Sequence, residues 1–185
     1  MQNNPHKFHI IGGPGSGKTT LARQIVQSLN IRCYDLDEIG YEGGSGPQRS
    51  LETRFSDISR IAAQESWITE GVFLGWTEEL FEKATTIVWL DLPWRIARWR
   101  IITRHLKAEL RRNNRHPGWR NLYNFIRWCA SYYSNTSPLN KTFVKDVAEN
   151  RVSTAYFLKD YWGKVIRCSH TSQVNDFLSS FKEHL

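Results

Sequence analysis

The sequence predicts an α/β protein in which a five-stranded parallel sheet lies between two layers of helices and carries a helical, arginine-rich lid. Short apolar runs that suit buried strands alternate with segments of helical periodicity along the 185 residues. Carboxylates directly follow several of these runs, and a glycine-rich turn joins the first run to the first helical segment. Such an alternation is typical of parallel strands connected by helices that pack on both faces of one sheet.

The glycine-rich turn fits the phosphate-binding pattern G-x-x-x-x-G-K-[ST], and its residues are Gly12-Gly13-Pro14-Gly15-Ser16-Gly17-Lys18-Thr19-Thr20. Its glycines let the backbone curl so that successive N–H groups point at a polyphosphate. We expect Lys18 to reach the outer phosphates and the Thr19 hydroxyl to ligate Mg²⁺. A strand-like run precedes the turn and a helical pattern follows it, which is the context that a nucleotide-binding loop requires. The turn therefore predicts a site for ATP and Mg²⁺.

The first half of the chain is predicted to supply three strands and three helices. Strands are predicted from short apolar runs at residues 7–11, 31–37 and 67–69. Helices are predicted where apolar residues recur every three or four positions, at residues 20–29, 50–65 and 76–84. The glycine-rich stretch at residues 40–46 predicts a surface turn that is suited to line a substrate mouth.

The second half contains the clearest strand, residues 85–91, a continuous apolar run with β-branched residues that suits burial on both faces. Helical patterns follow at residues 94–112 and 119–133, and a break is predicted at residues 134–138. The remaining predicted elements are a mostly helical segment at 141–162, a strand at 163–168 and a helix at 172–182.

Four carboxylates are predicted at strand ends, where ligands bind in folds of this class: Asp35, Asp37, Glu70 and Asp91. Because side chains alternate along a strand, we expect Asp35 and Asp37 to share one face. Asp37 is the candidate base toward a phosphoryl acceptor. The other expected acceptor-binding residues are Asp35, Glu70 and Gly71. Asp91 is expected to place Mg²⁺ together with Thr19, and solvated turn acids or a helix cap are the alternative interpretations.

Positive charge is concentrated in one segment of the chain. The net charge is +7, and residues 95–127 hold nine arginines and one lysine against a single acid, Glu109. We expect a lid inserted at residues 95–140 to close over the phosphates of a bound nucleotide. Arg100 and Arg104 lie one helical turn apart, and we expect them to contact the transferred phosphoryl group.

Tryptophans interleave with these arginines and leave a second function open. Arginines and exposed aromatic rings together bind single-stranded nucleic acid, so a nucleic-acid-binding ATPase is the alternative to a small-molecule enzyme. Aromatic residues at helical spacing more often belong to a core. We therefore interpret the four tryptophans of this region as core residues: Trp94, Trp99, Trp119 and Trp128.

Composition sets the expected class and compartment. The length favours one domain spanning residues 1–185, either monomeric or as a homodimer. The three cysteines are scattered and odd in number, which argues against a secreted disulfide scaffold and favours the cytoplasm. No apolar run approaches the length of a membrane span, so we expect no membrane partner.

The chain resembles the P-loop kinases of the adenylate kinase and shikimate kinase type over nearly its whole length. The likeness rests on the runs GGPGSGKTT at 12–20, DLD at 35–37, WITEG at 67–71 and TTIVWLDLP at 85–93. The last two runs are similar to those of the DNA-topology-modulation or adenylate-kinase-related subgroup. The resemblance implies a P-loop NTPase fold, an ATP·Mg²⁺ site, a mobile lid carrying arginines and a small acceptor facing the P-loop.

Two departures from these families concern the acceptor. Adenylate kinases carry D-G-[x]-P-R at the position where this chain has Glu70-Gly71-Val72-Phe73-Leu74, so the arginine that grips a nucleotide phosphate is missing. Shikimate kinases carry a triple glycine there, and it is absent as well. We therefore expect an ATP-dependent phosphotransferase whose acceptor, a hydroxyl or nucleotide-like small molecule, is neither AMP nor shikimate.

Overall fold

Five parallel strands form one sheet in the order β2-β3-β1-β4-β5, which confirms the predicted α/β architecture. The computed structural model describes residues 5–112, 114, 117–134 and 149–183. The strands are β1 (Lys7–Gly12), β2 (Cys33–Asp35), β3 (Trp67–Gly71), β4 (Thr86–Leu90) and β5 (Val165–Cys168). All strand pairs are parallel, so the carboxyl ends of the strands meet at one edge of the sheet.

Helices connect the strands and cover both faces of the sheet. The helices of the described residues are α1 (Lys18–Leu29), α2 (Leu36–Gly40), α3 (Leu51–Ala62), α4 (Glu78–Lys83), α5 (Trp94–Leu110), α6 (Trp119–Ser134), α7 (Arg151–Phe157) and α8 (Thr171–Glu183). Short 3-10 segments lie at Glu42–Gly44 and Leu158–Lys164. None of the helices in the described ranges is long and apolar enough to cross a bilayer.

Two apolar clusters hold the three layers together. Side chains alternate across a strand, so Ile10 packs into one cluster with α1 and α8, while Ile11 packs into the other. That second cluster includes α3, α4 and the 3-10 segment at Leu158–Lys164. Burial on both sides explains why the central strands are continuous apolar runs.

The structure corrects two of the predicted elements. The second strand ends at Asp35, because the Asp35 carboxylate accepts the Asp37 N–H at 2.9 Å and so begins helix α2. Asp37 therefore lies on a helix, and the prediction that the two acids share a strand face is wrong. Of the predicted helix at 141–162, residues 141–148 lie outside the described residues, and α7 and a 3-10 segment occupy the rest. The break predicted at 134–138 also falls mostly outside the described residues.

Helices α5 and α6 form the described part of the predicted lid, whose residues 135–140 lie outside the described chain. Ile101, Leu122 and Cys129 form a small core between the two helices. Outside this core the two helices expose aromatic rings, since Trp99, Trp119 and Trp128 are 66%, 70% and 62% exposed. The interpretation of these three tryptophans as core residues is therefore wrong; Trp94 alone of the four packs against the core.

Candidate active site

The glycine-rich turn lies at the carboxyl end of β1 and leads directly into α1, as predicted. Gly15 and Gly17 adopt a left-handed backbone, with φ of 77° and 102°, which residues with side chains rarely adopt. The Ser16 N–H donates to the Gly13 carbonyl at 3.2 Å, and Lys18 Nζ donates to the same carbonyl at 3.4 Å. The turn thus closes on itself with Lys18 folded over it, as expected of an anion cradle at a helix N-terminus.

Charges of both signs surround Lys18. Burial lowers the pKa of its ammonium group, and the carboxylates of Glu70, Asp37 and Asp35 oppose that shift. Arg104 adds to the lowering as a like charge. The structure therefore brings three of the predicted carboxylates and one of the predicted lid arginines into the cleft of the P-loop lysine.

Arg100 lies at the rim of the P-loop. Its Nη1 donates to the Ser16 carbonyl at 2.6 Å, and a Cβ on Gly17 would lie only 2.9 Å from the same nitrogen. Arg104 follows one turn later on α5 and is exposed. Arg100 thus contacts the P-loop backbone and Arg104 influences Lys18, and contact of either arginine with a transferred phosphoryl group stays a prediction.

Glu70 lies one residue before the end of strand β3, opposite Ile10 of β1. The Thr19 hydroxyl donates to its Oε1 at 2.6 Å. Burial raises the pKa of Glu70, while Lys18 and the hydrogen bond from Thr19 oppose the shift. The carboxylate thus lies beside the hydroxyl expected to ligate Mg²⁺, which sequence reasoning had placed at the acceptor instead.

Gly71 is required by packing between β3 and α2. A Cβ at this position would lie 2.8 Å from the Cβ of Leu36, a fully buried residue of α2. Any side chain here would displace the helix that carries Asp37. The contact of Gly71 with the acceptor stays a prediction. In the structure, the close packing of Leu36 explains why a glycine is needed at this position.

Asp35 and Asp37 lie at the junction of β2 and α2. Asp35 pairs in register with Glu70 of β3 and caps α2. Asp37 is exposed, but the protein around it desolvates the carboxylate and raises its pKa, Asp35 adds to the rise, and Lys18 opposes it. A carboxylate with a raised pKa beside the P-loop lysine is suited to accept a proton from a substrate hydroxyl.

Asp91 is bound by two arginines. Its carboxylate is buried and receives two hydrogen bonds from Arg151, the longer at 2.9 Å, and two from Arg167, at 2.6 and 3.0 Å. The Arg167 guanidinium also lies over the Trp89 ring, 4.9 Å from its centroid. Because guanidinium groups bind both oxygens, the structure does not support Asp91 as a partner of Thr19 in placing Mg²⁺.

Two groups of aromatic residues near the cleft were not identified from the sequence. The first group, Tyr132 and Tyr133 at the end of α6, packs against the P-loop. Both tyrosines share the helix face of Leu122 and Cys129, and this spacing in the sequence could have predicted that they face inward. The second group, Tyr41, Phe73 and Trp76, packs at the end of α2, and Phe73 and Trp76 are buried in the core. The buried Arg54 guanidinium lies 5.4 Å from the centre of the Trp76 ring.

The residues present fit a bound nucleotide with Mg²⁺. Among the described residues, no three His, Cys, Asp or Glu side chains converge as a dedicated metal cage. Mg²⁺ bound with a nucleotide needs only one or two protein ligands, because phosphates and water supply the rest. The Thr19 hydroxyl and the Glu70 carboxylate, 2.6 Å apart, are oxygen ligands of the required kind.

No family model matches the chain, but one curated protein is similar to part of it. Shikimate kinase of Corynebacterium glutamicum is 30% identical over 96 residues, which cover 45% of this chain and 57% of that protein. The chain thus spans a little over half the length of this relative.

Solved structures are similar over almost the entire chain. A gluconokinase from Sinorhizobium meliloti 1021 matches 99% of this chain and 97% of its own at 11% identity, with a TM-score of 0.52. Shikimate kinase from Bacteroides thetaiotaomicron matches 97% of both chains at 15% identity, with a TM-score of 0.50. Shikimate kinase from Acinetobacter baumannii, solved with shikimate, covers 98% and 93% at 13% identity, with a TM-score of 0.51. This chain therefore has the P-loop kinase fold, of the type seen in shikimate kinases and gluconokinases.

Proposed function

We propose that this chain is an ATP-dependent phosphotransferase that acts on a small molecule with an acceptor hydroxyl. One observation carries the proposal: the P-loop lysine shares a cleft with Glu70, Asp37 and Asp35, at the edge of the sheet where the strands end. A phosphate cradle and a candidate proton acceptor therefore face the same space. The similarity to shikimate kinases and to a gluconokinase supports the same reaction class.

At the nucleotide end, the P-loop amides and Lys18 hold the phosphates. Thr19 and Glu70 hold Mg²⁺, the role that sequence reasoning gave to Asp91. The metal supplies charge neutralisation of the phosphates when bound. Arg104 lies close enough to influence Lys18 and adds positive charge where the transferred group develops negative charge.

At the acceptor end, Asp37 orients the substrate hydroxyl and accepts its proton. Its raised pKa makes the carboxylate a stronger base than a solvated aspartate. The absence of the adenylate kinase arginine and of the shikimate kinase glycines at residues 70–74 favours an acceptor other than AMP or shikimate. We place the reaction in the cytoplasm, in keeping with the free cysteines.

Lys18→Ala tests the proposal directly. We expect ADP formation, screened with a library of hydroxyl metabolites and ATP·Mg²⁺, to fall by about a thousandfold, because a cation that holds phosphoryl charge is removed. Circular dichroism should show an intact fold. The matched control is Lys83→Ala, at the exposed end of α4, which should retain the activity of the unmodified chain.

Two outcomes contradict the proposal. Transfer at an undiminished rate by Lys18→Ala would show that the P-loop is not the phosphate site. Failure of the unmodified chain to bind ATP·Mg²⁺ in a calorimetric titration would remove the nucleotide site altogether.

A second candidate function is supported by the lid surface. Trp99, Trp119 and Trp128 are exposed in a segment with nine arginines, and exposed rings with arginines bind single-stranded nucleic acid by stacking and charge. We propose nucleic-acid binding by the outer face of α5 and α6 as the alternative, which is compatible with ATP binding at the P-loop.

A further inference from the structure

Side chains from the two lid helices hold the outer rim of the P-loop. The Tyr133 hydroxyl of α6 donates to the Pro14 carbonyl at 3.0 Å. The Arg100 guanidinium of α5 donates to the Ser16 carbonyl at 2.6 Å. Two alternate carbonyls of the loop are therefore bound from outside by groups that lie 84 and 119 residues away in the chain.

The geometry of the peptide bond links each externally bound carbonyl to the direction of the next N–H group. In a planar trans peptide, the carbonyl and the N–H of the next residue point in opposite directions, and the described chain contains no cis peptide bond. A Pro14 carbonyl held outward therefore turns the Gly15 N–H inward, and an outward Ser16 carbonyl does the same for the Gly17 N–H. Gly15 and Gly17 have left-handed backbones. Because glycine has no Cβ, the neighbouring peptides can rotate readily, so an external restraint matters here.

Tyr133 is itself held firmly in place. Its ring packs against Trp94, with centroids 5.0 Å apart, and against Tyr132, also at 5.0 Å. The Tyr132 hydroxyl is within 3.2 Å of the Thr154 hydroxyl on α7, which anchors the end of α6. A Cβ on Gly13 would lie 2.4 Å from the Tyr132 ring, so the loop and the helix end fit closely.

We propose that Tyr133 is a positioning residue for the phosphate site: its hydroxyl holds the Pro14 peptide so that the Gly15 N–H faces the bound triphosphate. Arg100 acts in the same way on the Ser16 peptide. The inference rests on the proposed nucleotide site, and it assigns α6 a role in shaping that site. Nothing in the role requires Tyr133 to touch the nucleotide.

Tyr133→Phe removes the hydroxyl and keeps the ring. Isothermal titration with inorganic tripolyphosphate, which has no base or sugar, should show a five- to tenfold weaker affinity, about the effect of one hydrogen bond. The Gly15 amide resonance, followed by ¹⁵N NMR, should shift in the free variant and respond less to tripolyphosphate. Melting temperature should stay nearly unchanged. The matched control is Tyr123→Phe, an exposed tyrosine of the same helix, which should change neither affinity nor the Gly15 resonance.

The outcomes separate this inference from the proposed function. Tripolyphosphate binding that is lost in Lys18→Ala but equal in Tyr133→Phe and the unmodified chain would overturn the inference alone. Absence of binding to the unmodified chain would overturn the proposed function and the inference with it.

If Tyr133→Phe does not fold, Trp94→Phe takes its place, since it loosens the packing of the Tyr133 ring and spares the hydroxyl. A smaller loss of affinity is then expected, and no loss overturns the inference.

Discussion

At the scale of single residues, the neighbours of the proposed base Asp37 set its protonation. Burial raises the pKa of this carboxylate, Asp35 raises it further as a like charge, and Lys18 opposes both. Because a protonated carboxylate cannot accept a proton, the proposed role predicts that activity is lost as pH falls through the raised pKa of Asp37. A change that removes a raising influence moves that loss to lower pH.

Asp35→Asn applies this argument. The substitution removes the negative neighbour but keeps the cap of α2, since asparagine caps helices as well as aspartate does. We expect the acid limb of the kcat profile to move to lower pH, measured with a fixed acceptor from the metabolite screen. Glu52→Gln, in the first turn of α3, is the control and should leave the limb in place. An acid limb that stays or rises in Asp35→Asn would show that Asp37 is not the titrating base.

The sequence could predict which residues enter the cleft but not how they pair. Strand ends of a parallel sheet meet at one edge, and from this Asp91 was predicted to place Mg²⁺ with Thr19 and Glu70 to bind the acceptor. Their actual partners lie far along the chain: Thr19 is 51 residues from Glu70, and Arg151 and Arg167 are 60 and 76 residues from Asp91. Local spacing carries no signal for contacts of this kind.

At the scale of elements, Asp91 joins three parts of the fold. It follows β4, while its two guanidinium partners belong to the first turn of α7 and to β5. The carboxylate is 1% exposed, whereas the two arginine side chains are 45% and 44% exposed. Such a link stabilises the edge of the sheet without adding a ligand for Mg²⁺.

Asp91→Asn should therefore destabilise the fold and leave the metal site intact. We expect a loss of about 2 kcal/mol, less than for a fully buried pair because the arginines keep much of their hydration. The melting temperature should fall by about 5 °C for a chain of this size. The dependence of ATP affinity on Mg²⁺ should match that of the unmodified chain. The exposed Asp176→Asn is the control, and a selective loss of Mg²⁺ dependence in Asp91→Asn would restore its predicted metal role.

The bounds of elements with a clear apolar pattern were predicted to within a few residues. Helix α3, expected at 50–65, spans Leu51–Ala62, and β4, expected at 85–91, spans Thr86–Leu90. The second strand, expected at 31–37, spans only Cys33–Asp35. It ends two residues early because the Asp35 cap is a local hydrogen bond that competes with the strand pattern. The aromatic pattern of α6 was predicted as a helix, but periodicity did not reveal which rings stay exposed.

At the scale of the whole molecule, charge and apolar surface are both concentrated on the lid. The net charge is +7, yet residues 95–127 hold ten basic side chains and one acid, and that acid, Glu109, accepts hydrogen bonds at the α5–α6 turn. Trp128 stacks on Phe125 and Arg127 lies over Tyr123, all four on α6. A surface of this kind repels a second copy of itself and attracts an anionic partner.

Nucleic-acid binding by this surface predicts a specific salt dependence. If the second candidate function holds, a fluorescent single-stranded oligonucleotide should bind at low salt and dissociate steeply as salt rises. Arg127→Gln should lower the salt slope by about one phosphate contact, and Trp128→Ala should weaken binding by about 1–3 kcal/mol through lost stacking. Trp162→Ala, an exposed tryptophan in the 3-10 segment before β5, is the matched control. Oligonucleotide binding that is absent at low salt, or equally weakened by Trp128→Ala and Trp162→Ala, would contradict nucleic-acid binding by the outer face of α5 and α6.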